Sequence, residues 1–455
     1  MRDVPYFDGE TILKPSDRPA FRATVKTTFV LQSVNFALSL AAVLASSRWL
    51  SPAGKGVQSI VVTISQIAAA VLGLGFSGVA GTVCAENSAL TLAVGRVFRR
   101  IAIFAGLVLL ATIALNHVFA WRPDLRPFEW PILFFTLAAL CQPFVAVLCL
   151  SLGEGTSANI TFVASSFSWL AVTCALQAGG MLTPVSAVSA QATGLAIGAA
   201  YGWWRATRRI AATTQVEPAA SDLTRWSRIS FYSFLSATFA LIWYRGDILL
   251  VSKLGGGASA AGIYSVAVFA AELTLRLPQW ASMVLGPEVA ADRHLGLRRT
   301  LSLLWLSVGL ASIAAIVAIA IRTPAEAILV KVAGEGFRPA YMVMLMLLPR
   351  VVTQSGIAVL AGNLAGHGYT PWHPACSGVG MLGVFALDFV LIPSMGLQGA
   401  AIASFLGSLL GAAVVVVGFS RQNQSNAKDF AEGARAALRM TMQFLDRRTT
   451  GSLRD

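Results

Sequence analysis

Charged residues are scarce in this chain of 455 residues: Asp, Glu, Lys and Arg make up 12% of it, whereas hydrophobic residues make up 56%. A soluble globular domain carries roughly 25% charged residues. The deficit excludes an ordinary soluble domain and indicates a protein embedded in a lipid bilayer. We attribute the net charge of +13 to loops that face anionic lipid headgroups, not to nucleic-acid binding.

Patterns for metal binding, disulfides and secretion are also missing. The four histidines never reach a spacing that places metal ligands on one face. The five cysteines are odd in number and lie in or beside apolar segments, so we expect free thiols. No signal-peptide cleavage site follows the polar N-terminal tail of 28 residues. The sequence therefore predicts no metal site. We also expect no cofactor and no enzyme activity.

Long apolar runs are abundant, and twelve of them can cross a hydrocarbon core of ~30 Å. Six runs per half return the chain to its starting side, which requires parallel repeats. We predict an all-α membrane protein with about 12 transmembrane helices, in two parallel six-helix bundles around a central cavity. The predicted bundles are residues 29–204 and 229–419, joined by a linker, 205–228, and flanked by tails, 1–28 and 420–455. The runs are Phe29–Leu50, Gln58–Cys84, Ile101–Ala120, Pro131–Leu152, Asn159–Gln177, Thr183–Trp204, Ile229–Leu254, Ala261–Leu285, Leu301–Ile321, Tyr341–Ala365, Ala375–Ile392 and Ala400–Phe419.

The distribution of Lys and Arg outside these runs predicts the orientation. The tails, the linker and the loops on their side hold 23 basic residues, and the opposite side holds 8. Because cytoplasmic loops carry the excess of Lys and Arg, both termini are expected in the cytoplasm. In the C-terminal tail, apolar residues spaced by three and four over Ala427–Leu445 predict an interfacial amphipathic helix, with a solvated tail as the alternative.

Two pairs of similar segments indicate that the chain is duplicated. Gly56–Val62 resembles Gly262–Val268, and Gly194-x-x-x-Gly198 resembles Gly407-x-x-x-Gly411. Parallel repeats around a cleft are common in transporters, which handle substrate at the repeat interface. The segment Gly73–Gly78 matches a dinucleotide-binding pattern, but it lies inside an apolar run without a preceding strand. Helix packing or a local kink is the interpretation there.

Ionisable residues within the predicted spans are the candidates for function, because each costs roughly 2.5–3.5 kcal/mol at mid-bilayer. The first half has none at depth. Pairing of Glu272 with Arg276, four residues later on one helix face, would explain two of those in the second half structurally. Guanidinium bonds to carbonyls freed by Pro278 and Pro349 would also be structural. Arginine forks match phosphate geometry, which favours an anionic, phosphate-bearing cargo. The six residues are Arg245, Asp247, Glu272, Arg276, Arg350 and Asp388.

Several segments resemble the polysaccharide and O-antigen flippases of the multidrug, oligosaccharidyl-lipid and polysaccharide (MOP) exporter superfamily. The likeness covers about Phe29 to Phe419. Ser51 stands where the family usually has Gly, which weakens the match of the turn around it. The segments are Leu391–Ser404, Tyr244–Leu250, Ala261–Ala267 with Glu272, Pro278 and Pro287, Arg48–Gly56, and Leu74-Gly75.

This resemblance implies a cavity that opens alternately to the two sides of the membrane, with a glycan on a polyprenyl diphosphate as cargo. A glycan polymerase and a chain-length regulator would be partners, besides membrane lipids. The residues expected to contact the diphosphate are Arg245, Arg276 and Arg350, with Arg48 at the outer mouth. Carboxylates in a low-dielectric cleft exchange protons or ions, so Asp247, Glu272 and Asp388 are expected to couple transport to H+ or Na+.

Three other functions remain open at this stage. A drug or cation antiporter of the same superfamily would carry deep carboxylates, often in the first half, which has none. A membrane glycan polymerase or ligase would need a large outward loop with catalytic residues, whereas the longest predicted one runs only from Arg322 to Ala340. A scaffold that transports nothing would not need the charged cleft.

Overall fold

The computed structural model describes residues 18–119, 123–210, 218–275, 293–366 and 371–451. This part of the chain is helical and contains no strand, which confirms the all-α class. Short 3-10 turns at Ser88–Leu90, Pro123–Phe128, Glu272–Leu275 and Glu335–Phe337 join some of the helices. The helices are α1 (Arg18–Leu72), α2 (Phe76–Glu86), α3 (Thr91–Phe119), α4 (Glu129–Ser151), α5 (Gly155–Ala178), α6 (Pro184–Ile210), α7 (Ala220–Leu254), α8 (Gly257–Ala271), α9 (Arg293–Ala320), α10 (Arg322–Ala333), α11 (Arg338–Gly366), α12 (Trp372–Met395), α13 (Leu397–Asn423) and α14 (Ala427–Gly451).

Nine helical segments of the described chain are long and apolar enough to cross a membrane. The first of them, Thr27–Leu72, is 46 residues long and contains the first predicted span and most of the second. Helices α6 and α8 correspond to two further spans, although α8 is short within the described residues. Together these segments are consistent with twelve crossings. Helices α1 to α6 fall in the predicted first bundle and α7 to α13 in the second.

The first two predicted spans are two helices that meet at a sharp break without a loop between them, and together they make up α1. Helix α1 bends at Ser51, where φ is 63°, and Pro52 follows, whose ring removes a backbone donor. The end of the second span is then broken at Leu74 and Gly75, both at positive φ. A Cβ at Gly75 would overlap the backbone of Phe234 in α7, so a larger residue is excluded. The break confirms a local kink in the glycine-rich segment.

The two halves meet where the repeated segment contacts its own copy. The Oγ of Ser59 donates a hydrogen bond to the Oγ of Ser265 at 2.9 Å, and these residues are 206 positions apart. Added Cβ atoms at Gly56 and Gly262 would overlap backbone atoms of the opposite half, including the Ala258 carbonyl oxygen. The glycines therefore permit α1 and α8 to cross closely. We call this side of the bundle the kink face, and the side that carries residues 210 and 220 the linker face.

The second repeated motif packs the last helix of each half. Gly198 of α6 lies against Thr161 and Ser165 of α5, and Gly407 of α13 lies against Val384 of α12. Small residues allow such close approach between membrane helices. The motif thus performs the same packing role twice.

The C-terminal tail forms helix α14, as predicted for Ala427–Leu445, and packs against α9. Gly433 lies against Leu301, and the indole nitrogen of Trp305 donates to the carbonyl of Phe430 at 2.9 Å. Arg435, on the opposite flank, is exposed. The described part of the tail is therefore a docked helix.

Candidate functional site

A buried ion pair joins α7 and α11 at the centre of the second half. The Nη1 atom of Arg350 lies 3.3 Å from Oδ2 of Asp247, and the two side chains are 3% and 0% exposed. Nη1 also lies 3.4 Å from the Ser404 hydroxyl oxygen, and Nη2 donates to the backbone carbonyl of Tyr244 at 3.3 Å. Arg350 was expected to bond a carbonyl freed by its neighbouring proline, and it instead bonds one on another helix.

Asp247 receives hydrogen bonds from three further donors. They are the backbone amide of Ile248 at 2.9 Å, the hydroxyl of Tyr264 at 2.6 Å and the hydroxyl of Ser404 at 3.0 Å. With Arg350 they surround the carboxylate. Such a network fixes α7 against α8, α11 and α13, because removing any member leaves a buried charge or polar group unpaired.

A second ion pair, more open than the first, joins α7 to the end of α8. Nη2 of Arg245 lies 2.8 Å from Oε2 of Glu272, and these side chains are 25% and 14% exposed. The predicted partner of Glu272 on its own helix was Arg276, which lies outside the described residues. The described partner of the carboxylate is Arg245, on another helix, and pairing of Glu272 with Arg276 stays a prediction.

Asp388 on α12 is buried without a hydrogen-bond partner. Its exposure is 0%, and neither carboxylate oxygen has a donor among the described residues. The charges that act on it are those of Asp247 and Arg350. An ionised carboxylate without a donor or counterion is costly in such surroundings. This site is therefore suited to holding a proton or a small cation.

Two of the arginines that are expected to contact the diphosphate are not free in the described part of the chain. Arg245 and Arg350 each pair with an acid. Arg48 is exposed near the kink, where its Nη1 lies close to Gly334 between α10 and α11. The reason is that α7 presents Arg245 and Asp247 to different neighbours, so each meets a partner of opposite charge. Helix spacing alone did not reveal these partners.

A buried lysine in the first half has only neutral partners. Lys55, just after the kink in α1, is 5% exposed. Its Nζ donates to the hydroxyl of Ser46 at 2.8 Å and to Oε1 of Gln58 at 2.9 Å. Among the described residues no carboxylate pairs with it. Lys55 is one of the 8 basic residues counted on the outward side, because the sequence does not show that Ser46 and Gln58 enclose it across the kink.

The sequence analysis also missed Tyr264 and Ser404 as members of the Asp247 network. Both lie inside segments that drew attention for other reasons: Tyr264 in the repeated segment and Ser404 at the end of Leu391–Ser404. In the repeat, Tyr264 occupies the position that Gln58 has in the first half. The only signal in the sequence for these partners was that both residues carry hydroxyl groups inside apolar runs, where a hydroxyl needs a hydrogen-bond partner such as Asp247.

An ion pair outside the spans closes the linker face of the first half. Nη2 of Arg205, at the end of α6, lies 2.8 Å from Oε2 of Glu154, which precedes α5. Ser157 also donates to this carboxylate at 2.8 Å. The hydrogen bond from Arg205, with that from Ser157, holds the pKa of Glu154 below its usual value. The ion pair therefore holds the end of α6 against the start of α5.

No family model and no curated protein sequence matches the chain, but solved structures match its fold. An inward-facing multidrug resistance MATE family transporter of the MOP superfamily has a TM-score of 0.67 and 13% identity, over 87% of this chain and 98% of that one. The lipid II flippase MurJ, inward closed, has a TM-score of 0.61 and 13% identity over 91% of each chain. A MOP superfamily transporter from Pyrococcus furiosus has a TM-score of 0.64 and 13% identity, over 88% and 95%.

At these identities the likeness shows the fold alone. The chain has the multi-pass, all-helical architecture of MOP superfamily transporters. Both a flippase and multidrug transporters share this architecture, so the cargo has to be argued from the residues themselves.

Proposed function

We propose that the chain is an alternating-access transporter that flips a polyprenyl-diphosphate-linked oligosaccharide, such as an O-antigen or exopolysaccharide repeat unit, from the inner to the outer leaflet of a bacterial inner membrane. It performs no covalent chemistry and needs no cofactor apart from a coupling ion, H+ or Na+. A glycan polymerase and a chain-length regulator would receive its product. The single observation that carries the proposal is the contrast between two intramembrane ion pairs, one sealed and one open.

The open pair supplies the cargo contact. Arg245 keeps a quarter of its side chain exposed beside Glu272, whereas Arg350 is almost fully enclosed with Asp247. A diphosphate carries more negative charge than one carboxylate and fits the guanidinium fork with paired oxygens. It therefore competes with Glu272 for Arg245. Arg350 is assigned to holding the network together, and Arg276 and Arg48 remain proposed contacts along the path.

Ion coupling is assigned to Asp388. Asp388 has no exposed surface and no hydrogen-bond donor among the described residues. A carboxyl group in such a place is costly, and its presence is explained if it exchanges a proton or a cation during the transport cycle. Loading changes the charge next to Asp247 and Arg350, which join α7, α8, α11 and α13. Asp247 and Glu272 take part through these pairs. The coupling site therefore acts on the same helices that carry Arg245.

An antiporter of cationic drugs is the second candidate. It is favoured by the three carboxylates in the second half, Asp247, Glu272 and Asp388, and by the multidrug transporters among the similar structures. Against it, Asp247 and Glu272 already form ion pairs with arginines. Among the described residues, Asp388 is then the one carboxylate of the three that forms no ion pair.

Transport in proteoliposomes distinguishes these candidates. The measurement is movement of a fluorescent polyprenyl-diphosphate-linked oligosaccharide between leaflets under an imposed H+ or Na+ gradient. We expect Arg245→Gln to abolish it and Asp388→Asn to remove its dependence on the gradient. Arg338→Gln is the matched control, because Arg338 is 58% exposed and pairs with surface acids. Full flipping by Arg245→Gln, or export of a cationic dye in place of lipid flipping, would contradict the proposal.

A further inference from the structure

One face of α1 is polar through most of the membrane. Thr28, Gln32, Asn35, Ser39 and Ser46 follow one another at spacings of four, three, four and seven residues, which places them on one stripe of a helix. At 1.5 Å per residue the stripe is about 27 Å long. None of these side chains is charged. Neutral hydrogen-bonding groups in a membrane helix are expected to face protein or water.

Helix α5 lies parallel to α1 and supplies partners for the stripe. Nε2 of Gln32 donates to Oδ1 of Asn159 at 2.7 Å, and Nδ2 of Asn159 donates to the Thr28 hydroxyl at 3.0 Å. Toward the kink face, the hydroxyl of Ser166 donates to Oδ1 of Asn35 at 2.6 Å. The result is a ladder of amides and hydroxyls between the two helices.

The ladder has an open edge along α1. Asn159 and Ser166, on the α5 side, are buried at 5% and 8% exposure, whereas Gln32, Asn35 and Ser39 are partly exposed. A primary amide has two donors and an acceptor oxygen with two lone pairs. Besides the ladder bonds, Nδ2 of Asn35 donates to Oε1 of Gln32 at 3.4 Å, and these bonds together still leave one N–H on each amide. Further hydrogen bonds are thus available on the side that is not covered by α5.

The ladder ends at a tryptophan whose indole donor is unpaired. Trp169 lies one turn beyond Ser166 on α5, is 8% exposed, and its Nε1 has no hydrogen-bond partner among the described residues. It packs in one cluster with Ala42 and Val43 of α1 and with Phe269 of α8. Phe269 belongs to the other half, so this end of the ladder lies at the interface between the halves.

Helix packing alone explains the ladder bonds, since polar side chains join membrane helices. It does not explain an indole donor that is buried without an acceptor, nor amides with unused capacity at an open edge. A cationic ligand is disfavoured because the stretch from Thr28 to Ser39 and its α5 partners have no carboxylate, and an anionic one because they have no cation. Lys55 bonds Ser46, which lies beyond this stretch. The ligand that fits is neutral and rich in hydroxyl groups.

We propose that the polar edge of α1 beside α5, formed by Gln32, Asn35 and Ser39 and ending at Trp169, binds the sugar part of the cargo. This subsite rests on the proposed function. The diphosphate contact at Arg245 lies in the other half, so headgroup and glycan are recognised by different bundles. Hydroxyls of the sugar accept from the indole N–H and exchange hydrogen bonds with the amides, and the sugar face packs against the indole ring.

Binding to two lipids tests the subsite. The probes are a polyprenyl-diphosphate-linked disaccharide and the same polyprenyl diphosphate without sugar, each titrated onto the full chain in nanodiscs. We expect Trp169→Phe to weaken binding of the glycosylated lipid about five- to tenfold, the effect of one lost hydrogen bond, and to leave the sugar-free lipid unchanged. Trp243→Phe is the matched control, because Trp243 is also buried with an unpaired indole nitrogen but lies in the second half.

The outcomes separate the two proposals. Equal affinity of the wild type for both lipids, or an unchanged affinity of Trp169→Phe for the glycosylated one, overturns the subsite while the proposed flippase stands. Binding of neither lipid by the wild type overturns both. If Trp169→Phe does not fold, Gln32→Leu gives the same comparison, because its side chain lies at the partly exposed edge.

Discussion

Replacing Arg350 by methionine is expected to destabilise the fold by about 3–5 kcal/mol, the usual cost of leaving one member of a buried ion pair alone. The magnitude follows from its setting: Asp247 is 0% exposed, and Arg350 is the cation beside it at 3.3 Å. Methionine fills much of the volume but supplies no charge. The control Arg338→Met is expected to cost less than about 1 kcal/mol, because that arginine is 58% exposed.

A double-mutant cycle separates charge from packing. Asp247→Asn removes the negative charge while the amide oxygen still accepts from Tyr264 and Ser404. Combined with Arg350→Met, it leaves no uncompensated charge. The loss in free energy of unfolding of the double variant is therefore expected to be smaller than the sum of the two single losses by at least about 2 kcal/mol. The assay is equilibrium unfolding in mixed micelles. Additive losses, or an Arg350→Met cost no larger than that of Arg338→Met, would refute the reasoning.

Two further predictions concern the contacts between helices. Gly56→Ala would place a methyl group against the Ala258 carbonyl and separate the halves at the kink face, which is measured as increased labelling of nearby engineered cysteines by impermeant thiol reagents. The control Gly95→Ala, with open space around it, should not change the labelling. Equal labelling of both variants would be evidence against a tightly packed crossing of α1 and α8. The Arg205 contact lowers the pKa of Glu154, so this pair stabilises the fold above the unfolded value of about 4.3 and ceases to do so as pH falls through the lower folded value. Glu154→Gln should flatten the stability curve below about pH 4 in thermal unfolding, and an unchanged curve would show that the pair contributes nothing.

The membrane class and the helical content could be predicted because they depend on composition and on run length, which are local properties. The kink within Gly73–Gly78 was predictable for a similar reason, since glycine tolerates positive φ wherever it occurs. The repeated segments were visible as well. What they do was not, because the contact between Ser59 and Ser265 joins residues 206 positions apart.

Pairing of the charged residues was decided by tertiary structure. Their positions within the spans were evident, yet helical spacing suggested only Arg276 as a partner for Glu272, whereas the fold places Arg245, from another helix, beside it. Helical spacing relates residues on one helix and carries no information about which helix lies opposite. The same limit hid the hydroxyls that surround Asp247.

The sequence by itself determined that this chain resides in a bilayer, that it is duplicated, and that its intramembrane charges lie in the second half. These properties follow from the free energy of transferring side chains into lipid, which each segment expresses independently of its neighbours. Only the tertiary structure decided which ion pairs are buried and which are partly exposed, and that Asp388 and the Trp169 indole nitrogen have no hydrogen-bond partner in the described ranges. Those properties depend on the distances between atoms of different helices, and packing sets these distances.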